Sequence, residues 1–347
     1  MELLTSYTLG ELRERFKELG LEAYRANQVL NWLYKKFEVD FLNMTDLPKV
    51  HRELLSRHFR THTLEPIHRA TAEDSVKYLF RTQDGHIIET VLIFERDHLT
   101  LCLSSQVGCA VGCRFCATAK DGLLRNLTTG EIVDQYILVQ RETPQRIRNV
   151  VFMGMGEPLA NYEGVRKAVE IMVSPWGIEL SKRRVSISTS GLVTQIRRMA
   201  KDPFLKELNL AVSLNATSQH LREFLMPISK TNTLKELMQT LVELPYPSDR
   251  RIMLEYVLIK DVNDSEAQAK ELAGLVAPYR RKFKVNLIPY NPDPSLPFER
   301  PPMERVYAFQ DVLRSYHIST FVRLSKGLKV FGACGQLRSK RPELMVK

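Results

Sequence analysis

The sequence predicts an α/β protein whose parallel sheet is either open or curled into a barrel, with a small helical domain in front of it. Three observations carry this. From residue 99 onward, short apolar runs alternate with longer amphipathic stretches, the pattern of repeated βα units. Helical spacing of apolar residues fills the first part of the chain. Between these regions Asp84-Gly85 separates two β-forming runs, a hairpin signal. With 347 residues, 44% of them apolar, the chain can bury one large core and carry an appendage.

Taken in order, Leu9, Leu12, Phe16 and Leu19 recur at helical spacing behind Thr8 as a cap, and Gly20 supplies a stop. A second helix is expected from Arg25 to Lys36, burying Val29, Leu30, Leu33 and Phe37. A third follows Leu47-Pro48 and uses Leu54, Leu55 and Phe59. These make residues 1–62 a helical accessory domain, on which Lys35, Lys36, Arg57 and Arg60 are available to a polyanion. Residues 63–98 form a β-rich connecting segment, with strands expected over Ser75 to Phe80 and His86 to Phe94.

The core spans 99–325. Strands are expected at Leu99 to Leu103, Asn149 to Met153, Arg184 to Ser188, Leu208 to Leu214, Ile252 to Ile259, Val285 to Ile288 and Ser319 to Val322. Helices fall between them, at Thr129 to Gln140, Tyr162 to Met172, Leu192 to Ala200, Leu234 to Leu244, Ser265 to Val276 and Met303 to Ser315. Parallel α/β sheets bind ligands at the carboxyl ends of their strands. Four stretches stand there. Cys109, Cys113 and Cys116 follow the first strand, Gly154-Met155-Gly156-Glu157-Pro158 the second, Ser188-Thr189-Ser190-Gly191 the third and Ser213-Leu214-Asn215 the fourth. Taken singly, the glycine turn is an ordinary turn and the serine stretches are ordinary helix caps.

The net charge of +10, from 50 basic and 40 acidic residues, is compatible with nucleic-acid binding. Its clusters are Arg183-Arg184, Arg197-Arg198, Arg280-Arg281-Lys282 and Arg338, Lys340 and Arg341. No apolar run reaches membrane-spanning length and the N-terminus does not read as a signal peptide, so a soluble, cytoplasmic protein without membrane contact is expected. Five cysteines, three of them clustered, argue against a secreted disulfide framework.

A structural zinc site wants four closed ligands, commonly two close pairs. Here three thiols lie within eight residues and the remaining cysteines are Cys102 and Cys334. Three thiolates can hold a cubane iron–sulfur cluster and leave one iron open. The spacing of Cys109, Cys113 and Cys116, with Phe115 before the last, resembles the signature of the radical S-adenosylmethionine (SAM) superfamily. That resemblance implies a [4Fe–4S] cluster, a SAM cosubstrate bound at the open iron, and a partial (β/α)6 TIM-like barrel. The competing reading is a zinc site completed by a distant histidine such as His98.

The wider sequence closely resembles the RlmN/Cfr family of radical SAM RNA adenine methyltransferases. The matching pieces run through nearly the whole chain: Tyr24-Arg25-Ala26-Asn27-Gln28 with Trp32-Leu33-Tyr34, Asn43 to Pro48, Ile88-Glu89-Thr90-Val91, Leu101-Cys102 with Ser104 to Cys109, Gly154 to Leu159, Asn286 to Asn291, and Ala333-Cys334-Gly335-Gln336-Leu337. The resemblance implies that Cys334, on a C-terminal tail of residues 326–347, accepts a methyl group from one SAM. A radical made from a second SAM then activates that methyl for addition to an adenine ring carbon. Cys102 would release the adduct, leaving a transient Cys102–Cys334 disulfide, and Glu89 would accept the proton. Gly156, Glu157, Ser188, Ser213, Leu214, Asn215 and Asn291 match the SAM contacts.

Two departures stand out. Asn215 replaces a histidine common in the family, and Lys326 to Gly332 lacks the acidic residue usual before Ala333-Cys334-Gly335. The expected product is 2-methyladenosine in 23S rRNA, and in tRNA beside the anticodon. The expected protein is a monomer served by an electron donor such as flavodoxin. The alternatives are C8 methylation of the Cfr type and, in another class, a non-catalytic RNA-binding protein with a structural metal site.

Overall fold

A computed structural model of the chain describes residues 1–338; Lys340, Arg341 and the end of the 326–347 tail lie outside the described residues. The N-terminal region holds α1 (Leu9–Glu18), α2 (Arg25–Lys35) and α3 (Lys49–His58), with β1 (Glu2–Leu3) pairing in parallel with β2 (Phe59–Arg60). Thr8 opens α1 as expected, in a reciprocal capping box with Glu11. Leu12, Phe16, Val29, Leu30, Leu33 and Leu55 are fully buried.

Next come β3 (Glu65–Thr71), β4 (Ser75–Arg81), β5 (Ile87–Phe94) and β6 (Leu99–Cys102), joined antiparallel in that order. A short hairpin of β7 (Gln106–Gly108) and β8 (Leu123–Asn126) encloses α4 (Ala117–Lys120) and leads to α5 (Thr129–Arg141). Then follow β9 (Ile147–Phe152), α6 (Tyr162–Val173), β10 (Val185–Thr189), α7 (Val193–Met199), β11 (Asn209–Ser213), α8 (Gln219–Leu225), α9 (Leu234–Glu243), β12 (Ile252–Leu258), α10 (Glu266–Val276), β13 (Phe283–Pro289), α11 (Met303–Ser315) and β14 (Thr320–Val322).

One ten-stranded sheet runs β14-β13-β12-β11-β10-β9-β6-β5-β4-β3. From β6 through β14 every neighbouring pair is parallel. The sheet keeps two edges, so the barrel is partial, and its helices cover the outer face as crossover connections require. β6 is the seam, parallel to β9 on one side and antiparallel to β5 on the other.

The βα alternation agrees with expectation to within one or two residues at most ends. Several short or edge elements were not expected, among them β1, β2 and α4, which have two to four residues each. β3 carries Pro66 and lies half exposed on the sheet edge, so it lacks an apolar alternation; edge position is what tolerates a proline. The β7–β8 hairpin and α8 are too short to develop a period.

Candidate functional site

The cysteine loop hangs between β7 and β8. At its base the Cys109 amide donates to the Gly122 carbonyl at 2.8 Å. Gly108 has φ +76°, and a Cβ there would stand 1.9 Å from the Gly122 oxygen, so only glycine closes this base. Cys109, Cys113 and Cys116 then converge on one cavity at the carboxyl ends of the parallel strands. Burial pushes the Cys109 thiol up to about 12 and Cys113 well above its ordinary value, with the other two cluster thiols adding to the effect on Cys113.

Among the described residues no three His, Cys, Asp or Glu side chains gather closely enough for one ion. A cubane takes each thiolate on a different iron, so three separated thiols lining one cavity, Cys109 buried and Cys113 and Cys116 partly so, fit it better than a mononuclear site. His98 precedes β6 while the cysteine loop follows it, so the distant-histidine zinc reading places its ligands at opposite ends of a strand.

The opposite wall is built by the turns after β9, β10 and β11. Gly156 has φ +99°, and a Cβ there would meet the Gln106 Cβ at 2.5 Å; the close approach lets Gln106 Oε1 accept from the Glu157 amide at 2.8 Å. The Glu157 carboxylate is 4% exposed and accepts from the amides of Ser190 (2.6 Å) and Leu159 (3.0 Å). Burial still holds its pKa above the usual carboxylate range. An ammonium group arriving in the cavity would favour its charged form. Ser188 and Ser213 line the same cavity.

Leu214 does not line it. Its amide and carbonyl are used by the Glu255 carbonyl and Arg222 Nε. Asn215 lines the cavity in a left-handed conformation (φ 59°), yet its Oδ1 accepts from the Val257 amide at 2.8 Å and its carbonyl accepts from Asn263 Nδ2. The Asn215 side chain thus braces β12. Asn291 Nδ2 donates to the Cys334 carbonyl (3.0 Å) and to Ser325 Oγ (2.9 Å), which fastens the tail over the cavity.

Cys334 lines both this cavity and a small adjoining one, and Cys102, at the end of β6, lines the second. Burial, then the neighbouring Cys334, pushes the Cys102 thiol up to about 12. All five cysteines are free thiols. Glu89 lies apart from the main cavity. It is fully buried in β5, with Oε1 2.9 Å from Lys77 Nζ and Oε2 accepting from the Arg338 amide at 3.1 Å.

Three residues were missed by sequence reasoning. Arg222 of α8 is fully buried and donates to the carbonyls of Ser190 (2.7 Å), Ser213 (3.1 Å) and Leu214 (3.2 Å) and to Ser229 Oγ (2.6 Å), bolting the β10 and β11 turns together. Burial lowers its pKa to about 10. Glu255 and Arg323 face each other across the cavity floor at 4.0 Å. A lone carboxylate inside the otherwise apolar strand Ile252 to Leu258 is a readable functional signal, because buried charges are rare unless used.

Comparison with known proteins bears on this geometry. Residues 103–273 match the radical SAM superfamily and residues 3–60 match the ribosomal RNA large subunit methyltransferase N-terminal domain. A probable dual-specificity RNA methyltransferase RlmN of Aquifex aeolicus is 66% identical over 345 residues, covering 99% of both chains. The chain belongs to the RlmN family of radical SAM RNA methyltransferases. A second RlmN relative, from Desulfotalea psychrophila, is 41% identical and covers 96% of this chain and 94% of its own. The crystal structure of a radical SAM methyltransferase from Sphaerobacter thermophilus superposes with a TM-score of 0.93 at 43% identity, covering 98% of this chain and all of the other.

As a radical SAM RNA methyltransferase the protein uses a [4Fe–4S] cluster and SAM. No helix among the described residues is long and apolar enough to cross a membrane.

Proposed function

We propose that this enzyme methylates C2 of an adenosine in 23S rRNA and in tRNA, using Cys334 as a methyl relay and Cys102 as the thiol that releases product. The observation that carries this reading is the meeting of Cys102 and Cys334 at one small cavity directly beside the one that receives the cluster cysteines. Bound SAM supplies an electrophilic methyl group and, on reduction at the cluster, a 5′-deoxyadenosyl radical.

The chain's own residues do the rest. Glu157 is set to pair with the ammonium of a bound methionine moiety, and Ser188 and Ser213 offer hydroxyls to the rest of the ligand. Asn291 holds the Cys334 carbonyl, so the relay thiol stays at the cavity rather than swinging into solvent. An adenine ring carbon is electron-poor, so a carbon radical derived from the cysteine-bound methyl can add where polar transfer cannot. The adduct must first lose its ring proton and, to the oxidised cluster as acceptor, its odd electron. Attack of the Cys102 thiolate on the Cys334 sulfur would then break the sulfur–methylene bond, leaving a disulfide and freeing the base, whose methylene carbon takes a proton to become the methyl group.

Glu89 is the candidate proton acceptor, and its salt bridge to Lys77 keeps a carboxylate available on the tail side of the site. An electron donor such as flavodoxin, a monomeric state and a cytoplasmic location complete the reading.

The test is nucleoside mass spectrometry with isomer separation on rRNA and tRNA incubated anaerobically with reconstituted enzyme, SAM and reductant. 2-Methyladenosine is the expected product. 8-Methyladenosine would replace this reading with the Cfr-type reaction, and SAM cleavage without either product would assign the enzyme another RNA position.

A further inference from the structure

The inner face of the barrel is polar well below the site. Alternate residues of a strand share a face, and on β10 Ser188 lines the upper cavity while Ser186 lines a lower one of about 380 Å³. Thr100, Asn149, Asn209 and Asn286 line the same lower space, at a level where barrels of this kind usually pack valine, isoleucine and leucine.

Arg183 and Arg184 stand at the rim of this lower cavity. Arg183 pairs with Asp249, and Arg184 donates to Asn149 Oδ1 at 3.1 Å. Met153 and Arg323 line the lower cavity, the upper cavity and the small one that holds Cys102 and Cys334. One layer of side chains therefore separates the floor of the barrel from both thiols. Within that layer Arg323 Nη1 donates to Met153 Sδ at 3.6 Å and its ion pair with Glu255 is long at 4.0 Å, so the Arg323 side chain, 33% exposed, is the part that must move aside for a molecule to pass. Of the three arginines that line the lower cavity, Arg183 pairs with Asp249 and Arg323 faces Glu255, while the lining carboxylate Glu95 pairs with Lys326. Arg184 meets the neutral Asn149 and no carboxylate among the described residues, so it supplies the cavity's excess positive charge.

We propose that the lower cavity admits a small anionic thiol that reduces the Cys102–Cys334 disulfide from the floor of the barrel. This rests on the relay mechanism above, which leaves that disulfide after each turnover. The incoming thiolate attacks one sulfur of the disulfide and forms a mixed disulfide; the displaced cysteine leaves as a thiolate and takes a proton from water. A second thiolate attacks the mixed disulfide, freeing the other cysteine and leaving as the small-molecule disulfide with the two electrons accounted for. The polar walls provide a wet path, and the arginines concentrate an anion along it. Product RNA at the upper mouth would not obstruct this route.

The test uses cluster-loaded enzyme in which Cys102 and Cys334 have been joined by mild oxidation, with the bond verified by peptide mass spectrometry. Reduction is followed by alkylation of the freed thiols, with 2-mercaptoethanesulfonate as the anionic probe and 2-mercaptoethylamine as the cationic one, at matched thiolate concentration. At low ionic strength the anionic thiol should react faster by about tenfold, an advantage that salt and R184E should each remove.

S186F, which narrows the shaft, should slow both probes several-fold with the cluster absorbance unchanged. Equal rates for the two probes, or rates untouched by R184E and S186F, would place entry at the upper mouth and overturn the proposal. Failure of the disulfide to form at all would instead remove the relay mechanism beneath it, and the two failures are told apart at the oxidation step.

Discussion

On the β9–β11 side of the cavity the turns are fastened by bonds to backbone: Glu157 accepts from two amides and Arg222 donates to four carbonyls. On the β5–β6 side the groups are reactive or charged in their own right. Cys102 sits at the seam strand, Glu89 and Lys77 form a fully buried ion pair, and the tail that brings Cys334 is tied by bonds such as Asn291 to the Cys334 carbonyl, Thr118 Oγ1 to the Leu337 carbonyl and Gln336 Nε2 to the Pro292 carbonyl. The difference is between a wall fastened within the barrel's own turns and one that is completed by the C-terminal tail, whose bonds reach back across more than forty residues of chain.

Cys334→Ala should break this division most completely. Methylation should vanish while SAM binding and RNA affinity persist, as measured by nucleoside mass spectrometry and equilibrium binding. Its counterpart Cys102→Ala should let protein joined to RNA accumulate on denaturing gels, and absence of that adduct would remove Cys102 as the releasing thiol.

Lys77→Met comes next. It removes one partner of a fully buried ion pair and should cost about 3–5 kcal/mol in urea unfolding, whereas replacing both partners by apolar residues should recover much of the loss. Arg222→Met attacks the other wall. Unsatisfied carbonyls at the β10 and β11 turns should cost about 3 kcal/mol and weaken SAM binding together with stability, a coupling that substitutions on the Cys102 side should not produce.

Asn215→His tests the departure from the family. Losing the bond to the Val257 amide should cost about 1 kcal/mol, and unchanged SAM affinity would show that only the backbone of this position touches ligand. The smallest effect concerns the surface near the hairpin. The Arg125 hydrogen bonds hold the Asp84 carboxyl below its ordinary value. Its contribution is present above the unfolded carboxylate pKa of about 4 and is lost as pH falls through the depressed folded value. Because the pair is largely exposed this amounts to less than about 1 kcal/mol, read as the difference between wild type and Asp84→Asn in urea midpoints at pH 5 and pH 3.

The βα order was legible because each strand and helix is long enough to impose its own period, and because Gly, Ser and Asn stretches mark where strands stop. The cysteine loop was legible from spacing alone. Arg222 was not: α8 has seven residues, and nothing local distinguishes a buried arginine from a solvated one until Ser190 and Ser213 are seen converging on it. Leu214 was assigned a ligand role by motif, yet its polar groups are spent inside the fold. The pairing of Glu89 with Lys77 across β4 and β5 depends on strand register, which the Asp84-Gly85 turn sets but does not advertise.

The tail that crosses the site has a bearing on how the enzyme is made. Cys334 follows every strand of the sheet in the chain. During synthesis the cysteine loop and the turns after β9, β10 and β11 exist before Cys334, and the bonds of Thr118 to the Leu337 carbonyl and of the Ala117 amide to the Gly335 carbonyl can form only after the barrel has emerged. A chain interrupted before residue 334 would contain every strand of the sheet and all three cysteines of the loop, yet lack the tail that closes over them.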